Sequence, residues 1–91
     1  MTEHYELHPL LQQNQQSFYG KAIVVMYDNG DRILLSYNVP VMRKYADGTY
    51  ERLWGDWSST TGKHIFAFSG GTIRKKEWDK MPLVESSETH S

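Results

Sequence analysis

The fold is decided by residues 18–37, which read FYGKAIVVMYDNGDRILLSY. The two halves of this stretch are rich in β-branched and aromatic residues, which favour strands. Between them, Asp28-Asn29-Gly30-Asp31 contains an Asn-Gly pair, a strong short-range signal of a tight hairpin. The sequence therefore predicts two antiparallel strands, over residues 18–27 and 32–37, joined by a turn.

Two further strands are predicted in the same way. Residues 39–45 form the third strand, and Ala46-Asp47-Gly48 is a second turn that leads into a fourth strand over residues 49–54. Pro40 has no backbone N–H to give to a strand ladder, so we expect a bulge, an interruption or a sheet edge at this residue. Consecutive strands joined by short turns predict a four-stranded antiparallel meander.

The apolar spacing changes after Gly55 from that of a strand to that of a helix. Four residues fall on one helical face: Thr61, His64, Ile65 and Phe68. Ser58 stands where its side chain would cap the first turn of this helix. Gly62 costs about 1 kcal/mol relative to alanine inside a helix, so we expect it to permit close packing against a strand or a large ring.

The C-terminal part predicts one more element. Gly70-Gly71 ends the first helix, and residues 75–80 form a short second helix before Pro82. Both ends of the chain are polar and unpatterned, which is typical of segments that do not fold. The predicted organisation is a flexible N-terminal arm over residues 1–17, a single α+β domain over residues 18–82, and a disordered tail over residues 83–91.

The composition of the 91 residues excludes several classes of protein. The chain has no cysteine, so it has no disulfide framework, no thiolate nucleophile and no cysteine-ligated metal site. No apolar run approaches the roughly 18 residues of a membrane span, and no secretory signal is recognisable. We therefore expect a cytoplasmic protein that does not associate with a membrane.

The net charge of −1 hides an uneven distribution. All ten Lys and Arg residues lie in residues 18–80 with seven of the eleven acids, so this part of the chain carries a charge of +3. A field of this size is usual for a mixed surface, so binding to nucleic acid is an alternative that is not favoured. The only basic triplet, Arg74-Lys75-Lys76, is either a solvated helix start or a contact for phosphates or an acidic partner.

The first predicted strand is apolar on both faces, because its residues alternate between Ala22, Val24 and Met26 on one side and Ile23, Val25 and Tyr27 on the other. One helix of about ten residues covers roughly one face of a four-stranded sheet. Either the sheet curls so that Trp54, Trp57 and Trp78 close over the second face, or an exposed aromatic patch there binds a partner. The sequence leaves both interpretations open.

Residues that could carry chemistry are present but poorly arranged. The residue types of a hydrolytic triad occur at Asp56, at Ser58 or Ser59, and at His64. Ser58 and His64 are six residues apart on one predicted helix and do not face each other, so we expect Ser58 to be a cap and His64 a hydrogen-bonded core histidine. His4 and His8 are only half of a metal site. We expect no enzyme, no metal and no cofactor.

Four segments resemble a largely uncharacterised family of small proteins from phages and mobile elements of Gram-positive bacteria. They are Ser17-Phe18-Tyr19-Gly20-Lys21-Ala22, Leu35-Ser36-Tyr37-Asn38, the stretch from Ser58-Ser59-Thr60-Thr61 to His64-Ile65, and Lys75-Lys76-Glu77-Trp78. The resemblance spans residues 17–82, although Lys63 replaces an arginine and Gly62 a larger side chain. It implies a compact accessory protein, and such proteins are often inhibitors of host defence, including anti-CRISPR proteins.

The sequence and the resemblance together predict a non-catalytic inhibitor that binds a host protein, with a nucleic-acid-handling defence enzyme as the expected partner class. The predicted protein contacts are Tyr45, Tyr50, Arg52, Trp54 and Trp57. The predicted contacts for nucleic acid or an acidic partner are Arg74, Lys75 and Lys76. The alternatives are a small nucleic-acid-binding regulator and a homodimeric structural module.

Overall fold

The computed structural model describes residues 3–13 and 15–83. One antiparallel sheet has the strand order β1 (Glu3–Glu6), β2 (Ala22–Met26), β3 (Arg32–Ser36), β4 (Val39–Lys44) and β5 (Tyr50–Arg52). Two helices follow, α1 (Ser59–Phe68) and α2 (Lys75–Lys80), and a single 3-10 turn spans Leu11–Gln13. The α+β class and the antiparallel meander are therefore confirmed.

The prediction of four strands was wrong by one strand, because Glu3–Glu6 pairs antiparallel with β2. This strand lies within the segment that was expected to be a flexible arm. All four of its residues are exposed, so it carries no apolar pattern, whereas Leu7 directly after it is buried in the core. The predicted tail lies outside the described residues except for Leu83, which forms a parallel bridge with Arg52.

Both predicted hairpin turns exist, with three-residue loops. The N–H of Gly30 donates to the C=O of Tyr27, and the N–H of Gly48 donates to the C=O of Tyr45. The two glycines have φ of 95° and 94°, while Asn29 has no positive φ. Each loop is therefore a turn that closes on a left-handed glycine, instead of a two-residue turn in which Asn and Gly both adopt positive φ.

β4 contains the irregularity that was predicted at Pro40. The partners of Leu34 and Leu35 are Met42 and Pro40, so Val41 is an extra residue in the ladder. Because the bulge breaks the alternation of side chains, the neighbours Val41 and Met42 are both buried. The bulge thus lets one short strand give two consecutive side chains to the core.

The helices cover one face of the sheet. Twelve buried side chains form this core: Leu7, Phe18, Ala22, Val24, Leu34, Val41, Met42, Ile65, Ala67, Phe68, Ile73 and Trp78. Trp54 and Trp57 pack against the same core. A Cβ added at Gly62 would overlap the Trp57 ring, which confirms that this glycine permits close packing against a large ring.

The opposite face of the sheet carries Ile23, Val25, Ile33 and Leu35 in two cross-strand pairs. All four are partly exposed, and none belongs to the core that the helices cover. The second face therefore carries an aliphatic block on β2 and β3 beside Arg43 and Glu51 on β4 and β5, and the three tryptophans lie with the core. Within residues 3–13 and 15–83, no helix has the length and apolar character needed to cross a membrane.

Candidate functional site: two tyrosine turns at one end of the sheet

The five residues predicted to contact a protein partner do not form one surface. Tyr50 pairs with Lys44, and Tyr45 follows Lys44 along the chain, so the side chains of Tyr45 and Tyr50 lie on opposite faces. The Tyr45 hydroxyl donates to Glu51 Oε2 at 2.9 Å, and the Arg43 guanidinium lies 4.9 Å from the centre of its ring. Tyr45 is thus already engaged within the chain.

The other three predicted contacts meet around the buried Trp78. The Arg52 guanidinium lies 4.9 Å from the Trp78 ring, and the Trp57 ring lies 6.2 Å from it. Arg52 Nη1 donates to the C=O of Trp78 at 2.8 Å and of Met81 at 3.3 Å, while its Nε donates to the C=O of Trp54 at 2.9 Å. Arg52 therefore holds the end of α2 against the sheet.

The basic triplet lies at the exposed start of α2, and two of its three side chains have partners. The Arg74 guanidinium lies 5.1 Å from the Phe66 ring, and Lys75 forms an ion pair with Asp79 at 2.8 Å. The Arg74 N–H donates to Glu77 Oε1 at 2.9 Å, and this bond lowers the pKa of Glu77. An acid therefore compensates the basic start of the helix.

Sequence reasoning missed a pair of tyrosines held in the left-handed conformation. Tyr19 and Gly20 have φ of 53° and 77°, and Tyr37 and Asn38 have φ of 52° and 66°. Positive φ at both central residues is the pattern of a type I′ turn, where Gly and Asn are preferred. Tyr19 is 73% exposed and Tyr37 is 51% exposed. Each turn thus presents a tyrosine to solvent in a conformation that costs about 1–2 kcal/mol.

The two turns are joined to each other. The Tyr37 N–H donates to the C=O of Lys21 at 2.9 Å, and Lys21 Nζ lies 5.6 Å from the centre of the Tyr37 ring. On the other side, the Gly20 N–H donates to Glu6 Oε2 at 2.9 Å, so β1 holds the first turn. We call this region the tyrosine end, which consists of residues 18–21 and 36–39.

His64 of α1 lies beneath both turns and is 1% exposed. The Phe18 ring meets its imidazole edge to face at 4.5 Å, and the Tyr37 ring lies 5.9 Å away. His64 Nδ1 is 2.8 Å from Ser36 Oγ, and Ser36 Oγ is 2.8 Å from Thr61 Oγ1. A buried chain of hydrogen bonds therefore connects α1 to the end of β3.

The Ser36–His64 pair does not give the tyrosine end a working nucleophile. Ser36 is 3% exposed, so neither partner is open to a substrate. Burial lowers the pKa of His64 to about 4, and the imidazole is neutral at pH 7. The predicted core histidine is thus confirmed, as is the predicted cap, because Ser58 Oγ accepts the Thr61 N–H at 3.1 Å.

The described part of the chain also offers no cluster for a metal, since no three His, Asp or Glu side chains within it lie close enough to hold an ion. His4 and His8, the half-site noted in the sequence, are both exposed. The tyrosine end presents two phenol rings, the ammonium group of Lys21 and the amide of Asn38.

The sequence did contain a signal for this site. Three of the four segments singled out in the sequence meet there, through Tyr19, Tyr37 and His64. The separation of these residues along the sequence does not predict that they lie close together. The β2–β3 pairing and the packing of α1 bring them together. The local signals are Tyr-Gly at 19–20 and Tyr-Asn at 37–38, each a tyrosine before a residue that tolerates positive φ.

Residues 5–85 match the model of DUF8033, a family of unknown function. Because the match covers most of the chain, the protein belongs to this family. No curated protein and no solved structure matches the chain.

Proposed function

We propose that this member of the DUF8033 family is a non-catalytic protein-binding module and that the tyrosine end is its contact surface. The observation that carries the proposal is the pair of exposed tyrosines in left-handed conformations, Tyr19 and Tyr37. Strained backbone that persists in a fold clusters at binding and catalytic sites. Asn or Gly would satisfy the same turns at lower cost, so stability alone does not account for these two side chains.

The chemistry of the surface suits a protein partner. Tyrosine is enriched at the centres of interfaces because its ring supplies apolar area and its hydroxyl supplies a hydrogen bond. Lys21 adds a cation beside the Tyr37 ring, and Asn38 adds an exposed amide. The predicted contacts at Arg52, Trp54 and Trp57 lie around Trp78 and would form a separate surface.

The turns are held before a partner arrives. The Tyr19 N–H donates to Ser17 Oγ at 2.8 Å, the Lys21 N–H donates to the C=O of Phe18 at 2.9 Å, and Glu6 fixes Gly20. A surface that is already ordered loses less conformational entropy on binding than a flexible one. This arrangement supports tight binding by a small number of side chains.

The identity of the partner as a host defence protein, with the chain acting as a phage or mobile-element inhibitor, is supported only by the resemblance of the motif segments. Direct binding of single-stranded nucleic acid is the competing function, because two rings and Lys21 could also stack bases and contact a phosphate. The two functions differ in their response to salt and to nuclease.

A capture experiment tests the proposed function. The immobilised protein is incubated with lysate of the organism that carries it, with and without nuclease, beside the variants Y19N/Y37N and Y27N. Tyr27 is a matched control, because it is also exposed but lies at the other end of the sheet with no positive φ.

We expect one protein to be captured by the parent chain and by Y27N, in a nuclease-resistant manner, and to be lost with Y19N/Y37N. Equal capture by the folded double variant would refute the tyrosine end as the contact surface. Capture that disappears with nuclease would assign nucleic-acid binding instead.

A further inference from the structure

We propose that His64 couples the two tyrosine turns into one unit, so that they open and close together although 17 residues lie between Tyr19 and Tyr37 in the sequence. The biological use of such a unit rests on the proposed function. The coupling itself is a property of the fold and can be measured on the free protein.

The first turn reaches His64 through Phe18. This ring is buried and meets the imidazole edge to face at 4.5 Å, and Phe18 is also the residue whose C=O accepts the Lys21 N–H that closes the turn. A shift of the imidazole therefore moves the first residue of the turn. Tyr19, Gly20 and Lys21 follow it along the chain.

The second turn reaches His64 through Ser36 and Tyr37. Ser36 Oγ is bonded to His64 Nδ1, and Ser36 is the last residue of β3 before the turn. The Tyr37 ring packs 5.9 Å from the imidazole. One buried ring thus contacts the first residue of each turn, and the Tyr37–Lys21 hydrogen bond links the turns directly.

Protonation of His64 is the event that would release this unit. Burial alone lowers the pKa of the imidazole, without a contribution from any charge. The charged groups around the site are Lys63 on the same helix, Lys21 beyond the Tyr37 ring, and Glu6 on β1, whose carboxylate already accepts the Gly20 N–H. Tyr37 is the titratable group in ring contact with it. Within residues 3–13 and 15–83 no carboxylate forms an ion pair with His64, so the imidazole gains a proton most readily when the turns open.

The size of the effect follows from linkage. An opened His64 titrates near its ordinary value of 6.5, whereas the closed one titrates at about 4. Between these values the open population rises with falling pH by at most about tenfold per pH unit. Asp31 does not contribute in this interval, because the hydrogen bond from Arg43 lowers its pKa below 3.8.

Amide hydrogen exchange followed by NMR tests the coupling. The reporters are the Lys21 and Tyr37 amides, and the controls are the Tyr27 and Tyr45 amides, which make equivalent hydrogen bonds beside the turns at the other end of the sheet. Exchange is measured from pH 6.5 to 4.5, corrected for intrinsic rates, in the parent chain and in H64F. Phenylalanine keeps a ring against Phe18 and Tyr37, retains the Ser36–Thr61 bond and cannot be protonated.

We expect the opening constants of Lys21 and Tyr37 to rise by the same factor as pH falls, approaching tenfold per unit, while those of Tyr27 and Tyr45 stay constant. In H64F the pH dependence of both reporters should vanish. The proposal is overturned if the two reporters respond differently, if all four amides rise together as in global unfolding, or if the dependence persists in H64F.

A second variant tests the coupling even if H64F does not fold. S36A removes the hydrogen bond to His64 and leaves both tyrosines in place. We expect it to raise the opening constants of the Lys21 and Tyr37 amides by one common factor at constant pH. A rise at Tyr37 alone would contradict the coupling. Because none of these measurements includes a partner, their failure is distinct from failure of the capture experiment.

Discussion

Two tyrosines adopt backbone conformations that their side chains disfavour, and this has a measurable consequence for stability. Asparagine tolerates the left-handed region far better than tyrosine. Tyr19 is mostly exposed, so replacing it removes little packing. We therefore expect Tyr19 to make the fold less stable than asparagine would at this position.

Tyr19→Asn should accordingly raise the free energy of unfolding by up to about 1 kcal/mol. Tyr37→Asn should raise the free energy of unfolding by less, because this variant also loses the contacts with His64 and Lys21. Urea denaturation measures both. The control Tyr27→Asn, at a residue with ordinary φ, should show no gain. A loss of stability in Tyr19→Asn would contradict the assignment of strain to this turn.

Gly62 gives the opposite case, in which a helix-favouring substitution should destabilise. Alanine would normally stabilise a helix interior by about 1 kcal/mol relative to glycine. Here the added methyl group would overlap the Trp57 ring, so we expect Gly62→Ala to lower the free energy of unfolding by about 1–3 kcal/mol. In a Trp57→Leu background the same change should cost less, and an unchanged cost would rule out this clash as the cause.

Among the helices and strands, the contact between α1 and β3 depends on a neutral histidine. The pKa of His64 is lower in the folded chain than in the unfolded one, so the unfolded state binds more protons between about pH 6.5 and pH 4. The stability that comes from this difference is fully present above pH 6.5 and is lost as pH falls toward 4.

The contribution of His64 to the free energy of unfolding should therefore fall by at most about 1.4 kcal/mol per pH unit across this interval. Urea denaturation at pH 7, 6, 5 and 4.5 measures how the free energy of unfolding changes with pH. His64→Gln keeps a hydrogen-bonding side chain near Ser36 but cannot titrate, so its slope should be clearly smaller. An identical slope in this variant would assign the pH dependence to other groups.

The junction between β5 and α2 depends on one guanidinium. Arg52 donates to the carbonyl groups of Trp54, Trp78 and Met81 from two nitrogen atoms, and an ammonium group cannot reproduce this fork. Arg52→Lys should cost about 1–3 kcal/mol of stability in denaturant unfolding. Arg74→Lys, at an exposed residue, should stay within about 0.5 kcal/mol. Equal effects would show that the Arg52 bonds contribute little.

Local signals were sufficient for most of these elements. The cap at Ser58, the irregularity at Pro40 and the glycine turns depend on the chemistry of one or two residues, and each was predictable from them. β1 was not, because Glu-His-Tyr-Glu has no pattern of its own and exists only through pairing with β2. The tyrosine end was missed for a related reason: its two turns lie far apart in the sequence and meet only through the β2–β3 pairing and the packing of α1.

For the protein as one body, the main asymmetry is between the two faces of the sheet. One face is covered by the helices, and the other carries the partly exposed block of Ile23, Val25, Ile33 and Leu35. Four aliphatic side chains form a patch within the range of ordinary monomers. The homodimer alternative would use this face, because the helices leave it uncovered.

We expect a monomer in sedimentation velocity at tens of micromolar. A concentration-dependent dimer would assign the aliphatic face to self-association, and Ile33→Lys should then abolish it. Thr60→Lys, at an exposed position of α1 on the other side of the sheet, is the control for added charge.

The direction of β1 has a practical consequence. Glu3 pairs with Met26 and Glu6 pairs with Ile23, so the strand starts beside the β2–β3 loop and runs toward Gly20. A fluorophore or affinity handle joined ahead of Glu3 would therefore be separated from Tyr19 and Tyr37 by the length of the strand. Handles placed there leave the two phenol rings accessible to a partner.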